Sequence, residues 1–207
     1  MSHNRGTQTK DGTVKMKQLT MVTVFLILVS SNALAVQING IEVPQQITQS
    51  ASKQTLTLNG AGVRTKFVFD IYVGALYLNS VSKDEKQILS DSHSKRISMR
   101  FLYDKIDKEK MTNGWTDAFE DNLTDKQFAS LKPSIDKFNS AFVKDTLKGD
   151  VVLIDLVNDK QTIITINNDE KVRIDGADFQ RAVLSIWLGE SPADDELKQD
   201  MLGISED

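Results

Sequence analysis

The fold turns on Asn59-Gly60-Ala61-Gly62-Val63-Arg64 and the run that follows, Lys66-Phe67-Val68-Phe69-Asp70-Ile71-Tyr72-Val73-Gly74-Ala75-Leu76-Tyr77-Leu78. Over 66–78, Phe67, Phe69, Ile71, Val73, Ala75 and Tyr77 share one parity, and Val68, Tyr72, Leu76 and Leu78 share the other. Side chains alternate across a strand, so both faces of this one are mostly apolar and should be covered on both sides. The glycine pair before it resembles a phosphate loop only superficially. A dinucleotide fingerprint needs a third glycine and a following helix, and a P-loop needs Gly-Lys-Ser or Gly-Lys-Thr. A bulge or sharp bend within a sheet is the reading that fits.

Outward from this stretch, Val36 to Val43 and Gln54 to Asn59 read as strands separated by the polar linker Gln45 to Ser52. After a further polar loop, Arg96 to Tyr103 alternates cleanly, with Ile97, Met99, Phe101 and Tyr103 inward and Ser98 and Arg100 toward a wet or cavity-facing side. The period then lengthens. Met111, Trp115, Ala118 and Phe119 mark an amphipathic helix with Asp107 placed as its N-cap. Thr124-Asp125-Lys126-Gln127 has capping-box spacing, and Phe128, Leu131, Ile135, Phe138 and Phe142 continue a helical pattern that Pro133 should divide into two short helices before Gly149. A hairpin is expected at Val151–Val157 and Thr162–Ile166 around Asn158-Asp159-Lys160, then a short strand Val172–Ile174. A helix from Ala177 to Leu188 and a last one opening at Pro192 and closing at Gly203 complete the chain. No strand–helix–strand unit repeats, so the class is α+β, a largely antiparallel sheet with helices packed on one face.

The chain has 207 residues, 40% of them hydrophobic and 26% charged, which suits one globular domain with a sizeable core. It has no cysteine, which excludes a disulfide scaffold, a thiolate zinc site and a cysteine nucleophile. Lys10, Lys15 and Lys17 precede the apolar run Leu19 to Val29, and Ala33-Leu34-Ala35 supplies the small residues that signal peptidase accepts. Residues 1–35 therefore read as a secretory signal peptide, with Met16 as an alternative start, and 36–207 as the mature domain, periplasmic or secreted. The apolar run is shorter than the about 20 residues of a spanning helix, so no stable transmembrane anchor is expected after cleavage.

Cleavage removes Arg5, Lys10, Lys15 and Lys17 with Asp11, leaving 21 of the 25 basic and 28 of the 29 acidic residues, a net charge of −7. Such a chain lacks the basic stripe that phosphate backbones require, so no nucleic acid partner is expected. Lys105, Lys108 and Lys110 alternate with Asp104, Asp107 and Glu109 and read as a solvated face. Pairs such as Asp194-Asp195 read as surface charge. Only His93 survives cleavage, within a polar loop, so neither a metal site nor a cofactor is expected.

An arginine beside two glycines, followed by an apolar strand carrying tyrosines, sets one cation and phenolic donors next to a greasy surface. That combination suits an amphipathic acid, whose carboxylate a guanidinium fork and a phenol can hold while apolar side chains accept the tail. The candidates are Arg64, Tyr72 and Tyr77; the structural alternative is an ion-paired arginine and two core aromatics. Eight residues of unbroken strand would put Arg64 about 26 Å from Tyr72 at ~3.3 Å per residue. A shared site thus requires a reversal near Thr65 to Phe69, where no strong turn signal stands.

These segments, taken with the late Ala182-Val183-Leu184-Ser185-Ile186-Trp187-Leu188-Gly189, resemble the chalcone isomerase-like family from about Val36 to the C-terminus. The resemblance implies an open-faced β-sandwich, a large antiparallel sheet backed by helices with a ligand cleft between them. It implies either an isomerase that closes a flavonoid ring or a noncatalytic binder of a fatty acid through an arginine and a tyrosine. Arg64 matches the family arginine, but the isomerase threonine falls on Tyr72, its tyrosine and asparagine on Lys108 and Trp115, and its late serine or threonine near Gln180. The expectation is therefore a noncatalytic binder of a fatty acid or similar small amphipathic carboxylate. An intramolecular lyase or isomerase on the same fold, and an envelope protein-interaction module whose partner no residue names, are the alternatives.

Overall fold

The computed structural model describes residues 1–3, 6 and 35–205. The signal peptide expected over 1–35 lies outside the described residues apart from positions 1–3, 6 and 35. In chain order the elements are β1 (Ala35–Ile38), β2 (Ile41–Pro44), β3 (Gln46–Thr48), β4 (Thr55–Lys66), β5 (Phe69–Leu78), α1 (Glu85–Ser90), β6 (Lys95–Phe101) and β7 (Lys105–Ile106). They continue with α2 (Lys108–Asn122), α3 (Asp125–Asn139), β8 (Thr146–Leu147), β9 (Val151–Val157), β10 (Gln161–Ile166), β11 (Asp169–Asp175), α4 (Ala177–Leu188) and α5 (Asp195–Leu202).

Seven strands form one antiparallel sheet in the order β11-β10-β9-β6-β5-β4-β3. Leu76, Leu78, Ile97, Met99, Val152, Ile154 and Ile164 turn to the helical layer, where Phe119, Ile135, Phe138, Phe179 and Trp187 complete the main core. Most of α4 is buried, as a helix gripped between sheet and other helices must be. On the opposite face a smaller core of Val43, Leu56, Val73, Ala75 and Tyr77 lies under the β1–β2 hairpin. The α+β class and the open-faced sandwich expected from the sequence are what is observed, and β5 is covered on both faces from Ile71 onward.

The glycines have a packing cause. Asn59 is an extra residue in β4, where the pairing steps from Leu58↔Tyr77 to Gly60↔Leu76. Its side chain donates to the carbonyls of Ser82 (2.9 Å) and Met201 (2.8 Å), and accepts from the Ser82 amide. The bulge therefore ties the sheet to the end of α5. A Cβ on Gly60 would collide with the main-chain oxygen of Asp200, one on Gly62 with the Asp200 carboxylate, and one on Gly74 would lie 2.8 Å from Met201 Cε. Bare backbone on β4 and β5 is the bed in which α5 lies.

Several local expectations are corrected. Val36–Val43 is a hairpin, not one strand: Asn39 (φ 46°) and Gly40 (φ 74°) supply the two positive angles of a type I′ turn. The linker 45–52 contains the edge strand β3. Part of the loop before β6 is α1, capped by Asp84, which accepts from the amides of Lys86 and Gln87. Asp107 occupies the N-cap position of α2 without capping it, because its carboxylate is drawn to Lys105 (2.7 Å); Asp145 accepts from the Lys108 amide instead. Pro133 does not divide the helix, and α3 ends at Asn139, short of the expected Lys148. The carbonyl deprived of its donor is that of Ala129, on the exposed side where water can serve it. The last helix opens at Asp195 with Asp194 as its N-cap, not at Pro192.

Candidate functional site

The reversal that a shared Arg64–Tyr72 site requires is present. Lys66 pairs with Phe69, leaving Phe67-Val68 as a two-residue hairpin loop, and Arg64 is the direct cross-strand partner of Tyr72. The guanidinium carbon lies 5.8 Å from the centre of the Tyr72 ring, within cation–π range. Both sit on the helical face of the sheet, at the end of β4 and β5 beyond the glycine bed. The Arg64 Nε donates to the Ala193 carbonyl at 3.3 Å. Arg96, Arg173 and Arg181 each have a carboxylate partner, but Arg64 forms no ion pair among the described residues. Of the structural alternative, the ion-paired arginine is not what is observed among the described residues, whereas Tyr72 and Tyr77 are both buried core aromatics.

Tyr72 is buried, and its hydroxyl accepts a hydrogen bond from Trp187 Nε1 at 2.9 Å. Burial pushes its pKa up to about 12 against the opposing pull of Arg64 and the Trp187 hydrogen bond, so the phenol stays protonated at neutral pH. Because the indole occupies the oxygen as donor, the phenolic hydrogen is free for another acceptor. Trp187 lies on the helix expected from Ala177 to Leu188, with no polar role expected of it. Its presence on an apolar face opposite a buried tyrosine could have signalled the pair, since a buried indole N–H needs an acceptor.

Arg64 and Tyr72 open onto a cleft of about 640 Å³ between the β4–β5 hairpin, α2 and the segment Ser191–Ala193. This is within the roughly 300–1,000 Å³ of small-molecule pockets. Its lining combines apolar walls, Phe69, Ile71, Phe101, Met111 and Trp115 among them, with the charged residues Lys66, Lys105, Lys110, Asp117 and Asp121. Gly114 also lines it, and nothing lies within 4 Å of where its Cβ would be. A mid-helix glycine costs about 1 kcal/mol relative to alanine, and no packing neighbour accounts for it here. The cleft is correspondingly wider at that point.

Tyr77 stands apart. It is buried in the smaller core on the opposite face, near Arg96, and does not line the cleft. An odd spacing of five along one strand sends Tyr72 and Tyr77 to opposite sides, which corrects the expectation that both could serve one ligand. Lys105 and Lys110 line the cleft but are engaged by Asp107, and Lys105 by Asp145 as well. Asp194, read as surface charge, accepts from the amides of Thr65 and Leu197, pinning α5 beside Arg64. Of the positions matched to the isomerase site, Trp115 lines the cleft, while Lys108 and Gln180 do not. The Gln180 amide donates to the Gln161 carbonyl at 2.7 Å. His93 is exposed and bonded to Asp91. Among the described residues no cluster of three metal-ligating side chains exists, and no helix is long and apolar enough to cross a membrane.

The family model described as chalcone isomerase-like matches residues 35–203. A solved structure of a fatty-acid binding protein from Arabidopsis thaliana superposes with a TM-score of 0.62 at 13% identity, covering 76% of this chain and 95% of that one. At that identity the likeness concerns the fold. No curated protein sequence matches.

Proposed function

The chain belongs to the chalcone isomerase-like family, and on that footing we propose that it is an exported, noncatalytic binder of a fatty acid or similar small amphipathic carboxylate. The observation that carries this reading is the pairing of an arginine that has no ion pair among the described residues with a buried, protonated tyrosine at one end of a cleft with apolar walls. A guanidinium offers two parallel donors to a carboxylate, and the Tyr72 hydroxyl supplies a third in a site where burial strengthens each bond. The acyl chain runs along Ile71, Phe101, Met111 and Trp115. The fatty-acid binding of the Arabidopsis protein with the same fold supports the choice of ligand. The proposed export rests on the leader read from the sequence over residues 1–35, and the proposed location of the mature domain is the periplasm or outside the cell.

The test is denaturing lipid extraction and mass spectrometry on purified residues 36–207, with Arg64→Ala prepared identically. A stoichiometric acyl carboxylate in the unmutated protein and its loss from the variant is the expected result. Equal acyl content in both would remove Arg64 from the head-group site.

A further inference from the structure

Among the described residues five β-hairpin turns join neighbouring strands; the β3–β4 turn carries Lys53 at φ 60°, and the β4–β5 turn is the one that sets an aromatic residue in the left-handed region. Asn39-Gly40, Asn158-Asp159 and Asn167-Asn168 place residues that tolerate the left-handed region at their positive φ angles. The β4–β5 turn puts Phe67 at φ 59° and follows it with Val68. A bulky aromatic is disfavoured there, and a β-branched residue is a poor turn former. Neither is compensated by burial: Phe67 is 89% exposed, Val68 84% and Phe69 51%. The hairpin holds an apolar tip in water at the expense of its own turn, and such strain collects where a surface has work to do.

We infer that this tip is a lipid-bilayer contact that seats the mouth of the cleft on a membrane surface. Three observations select the bilayer over a protein partner. The tip is a protrusion exposing roughly 400 Å² of apolar surface, about half of the ~800 Å² per partner that a stable protein interface buries. A bilayer interface, by contrast, takes up side chains that reach only about 5–10 Å. Phe67 and Phe69 also line the cleft, so the apolar wall that begins at Ile71 and Phe101 continues without a break to the tip. Phe69 is braced edge-on against Tyr103 at 5.5 Å, which fixes the angle at which the tip leaves the sheet. The choice of lipid rests on the acyl-carboxylate reading above, because an acyl chain leaving a bilayer along this track never crosses water.

Electrostatics is not the attraction. The mature chain carries a net −7, and of the lysines near the tip Lys105 and Lys110 are already paired with Asp107, which leaves Lys66 beside Phe67 as a single lysine without an ion pair among the described residues. Contact therefore rests on apolar insertion and persists in high salt and on uncharged phosphatidylcholine.

The experiment is vesicle flotation of the 36–207 protein with phosphatidylcholine and with phosphatidylethanolamine–phosphatidylglycerol vesicles. The variant Phe67→Asn/Val68→Gly installs the pair that the chain itself uses at 39–40. The unmutated protein should float with both vesicle types, and the variant should lose about tenfold or more in partitioning. The variant should also unfold at the same or a higher temperature, and Val68→Asp alone, at an exposed position outside the cleft lining, should lose partitioning while still binding a soluble fluorescent fatty acid. Equal partitioning of the two proteins, or no flotation of either, overturns the inference. So does a concentration-dependent dimer that the variant abolishes without any vesicle binding, which would assign the tip to a second copy. Flotation without binding of the soluble acid would remove the acyl-carboxylate reading and leave the membrane contact standing.

Discussion

Replacing Tyr72 with Phe probes the site at its most interior bond. The ring keeps its edge-on contact with Phe101 at 5.5 Å and its place under Arg64, so packing is conserved and one oxygen is lost. That oxygen is the acceptor for Trp187 Nε1, and both side chains are almost wholly buried, so the indole N–H is left without a partner or access to water. Removing one partner and leaving a buried donor orphaned costs about 1–3 kcal/mol, which is the predicted loss. At about 2–4 °C per kcal/mol for a domain of this size, the thermal midpoint should fall by several degrees. Trp187→Phe removes the donor instead, and adds a cavity cost of its own. Urea unfolding of both single variants and the double variant closes the cycle, with a coupling of about 1–2 kcal/mol expected. Effects that add to within ~0.3 kcal/mol would show that the bond contributes nothing and that the phenol is not held as described. Ligand binding supplies a second readout, since loss of one donor to a carboxylate should weaken it by about tenfold.

Two further outcomes follow from the same geometry. Gly60→Ala and Gly62→Ala should each destabilise by about 3 kcal/mol, because the first collides with the main chain of α5 and the second with Asp200 Cβ at 2.6 Å as well as its carboxylate, so that side-chain rotation clears neither; urea midpoints unchanged from the parent protein would contradict the close seating of α5. Burial raises Tyr72 and Tyr77 from the ordinary 10 to about 12, so the folded state holds protons that the unfolded chain has released. Stability is full below pH 10 and falls between about pH 10 and pH 12, by about 2–3 kcal/mol for Tyr72 with Tyr77 adding in the same direction. Urea titrations across that window should show the fall, and Tyr72→Phe should reduce it; an identical fall in the variant would mean that Tyr72 is not the titrating group.

Periodicity carried most of the fold. The helical spacing at 177–188 became α4 in full, while of the run read as one strand over 66–78 only Phe69–Leu78 became β5, Lys66 ending β4 and Phe67-Val68 forming the turn, and the alternation at 96–103 became a strand that stops at Phe101. What periodicity cannot express is a boundary enforced by a partner distant in sequence. Phe67-Val68 has no turn chemistry, and it reverses the chain because the flanking strands pair in register from Leu58 to Tyr77 inward. The glycines at 60, 62 and 74 read as a bend but explain themselves only once α5 is laid across them. Other features were available and passed over: Asn39-Gly40 is a strong hairpin signal, and Asp84 with Gln87 three residues on is a helix start. Within the site, Arg64 and Tyr72 were legible as residue types suited to a carboxylate. Their meeting was not, since it depends on the hairpin, and the opposite placement of Tyr77 follows from strand parity alone.

The most direct measurement is a titration of residues 36–207 with a long-chain fatty acid and with the alcohol of equal chain length, repeated on Arg64→Ala. The two ligands share the tail and differ in the head group. The account predicts that the acid binds at least about tenfold more tightly than the alcohol to the unmutated protein, and that this preference vanishes in the variant while the weak binding of the alcohol is unchanged. Equal affinity of acid and alcohol for the unmutated protein, or a preference for the acid that survives the loss of Arg64, would contradict the claim that Arg64 and Tyr72 form a carboxylate site.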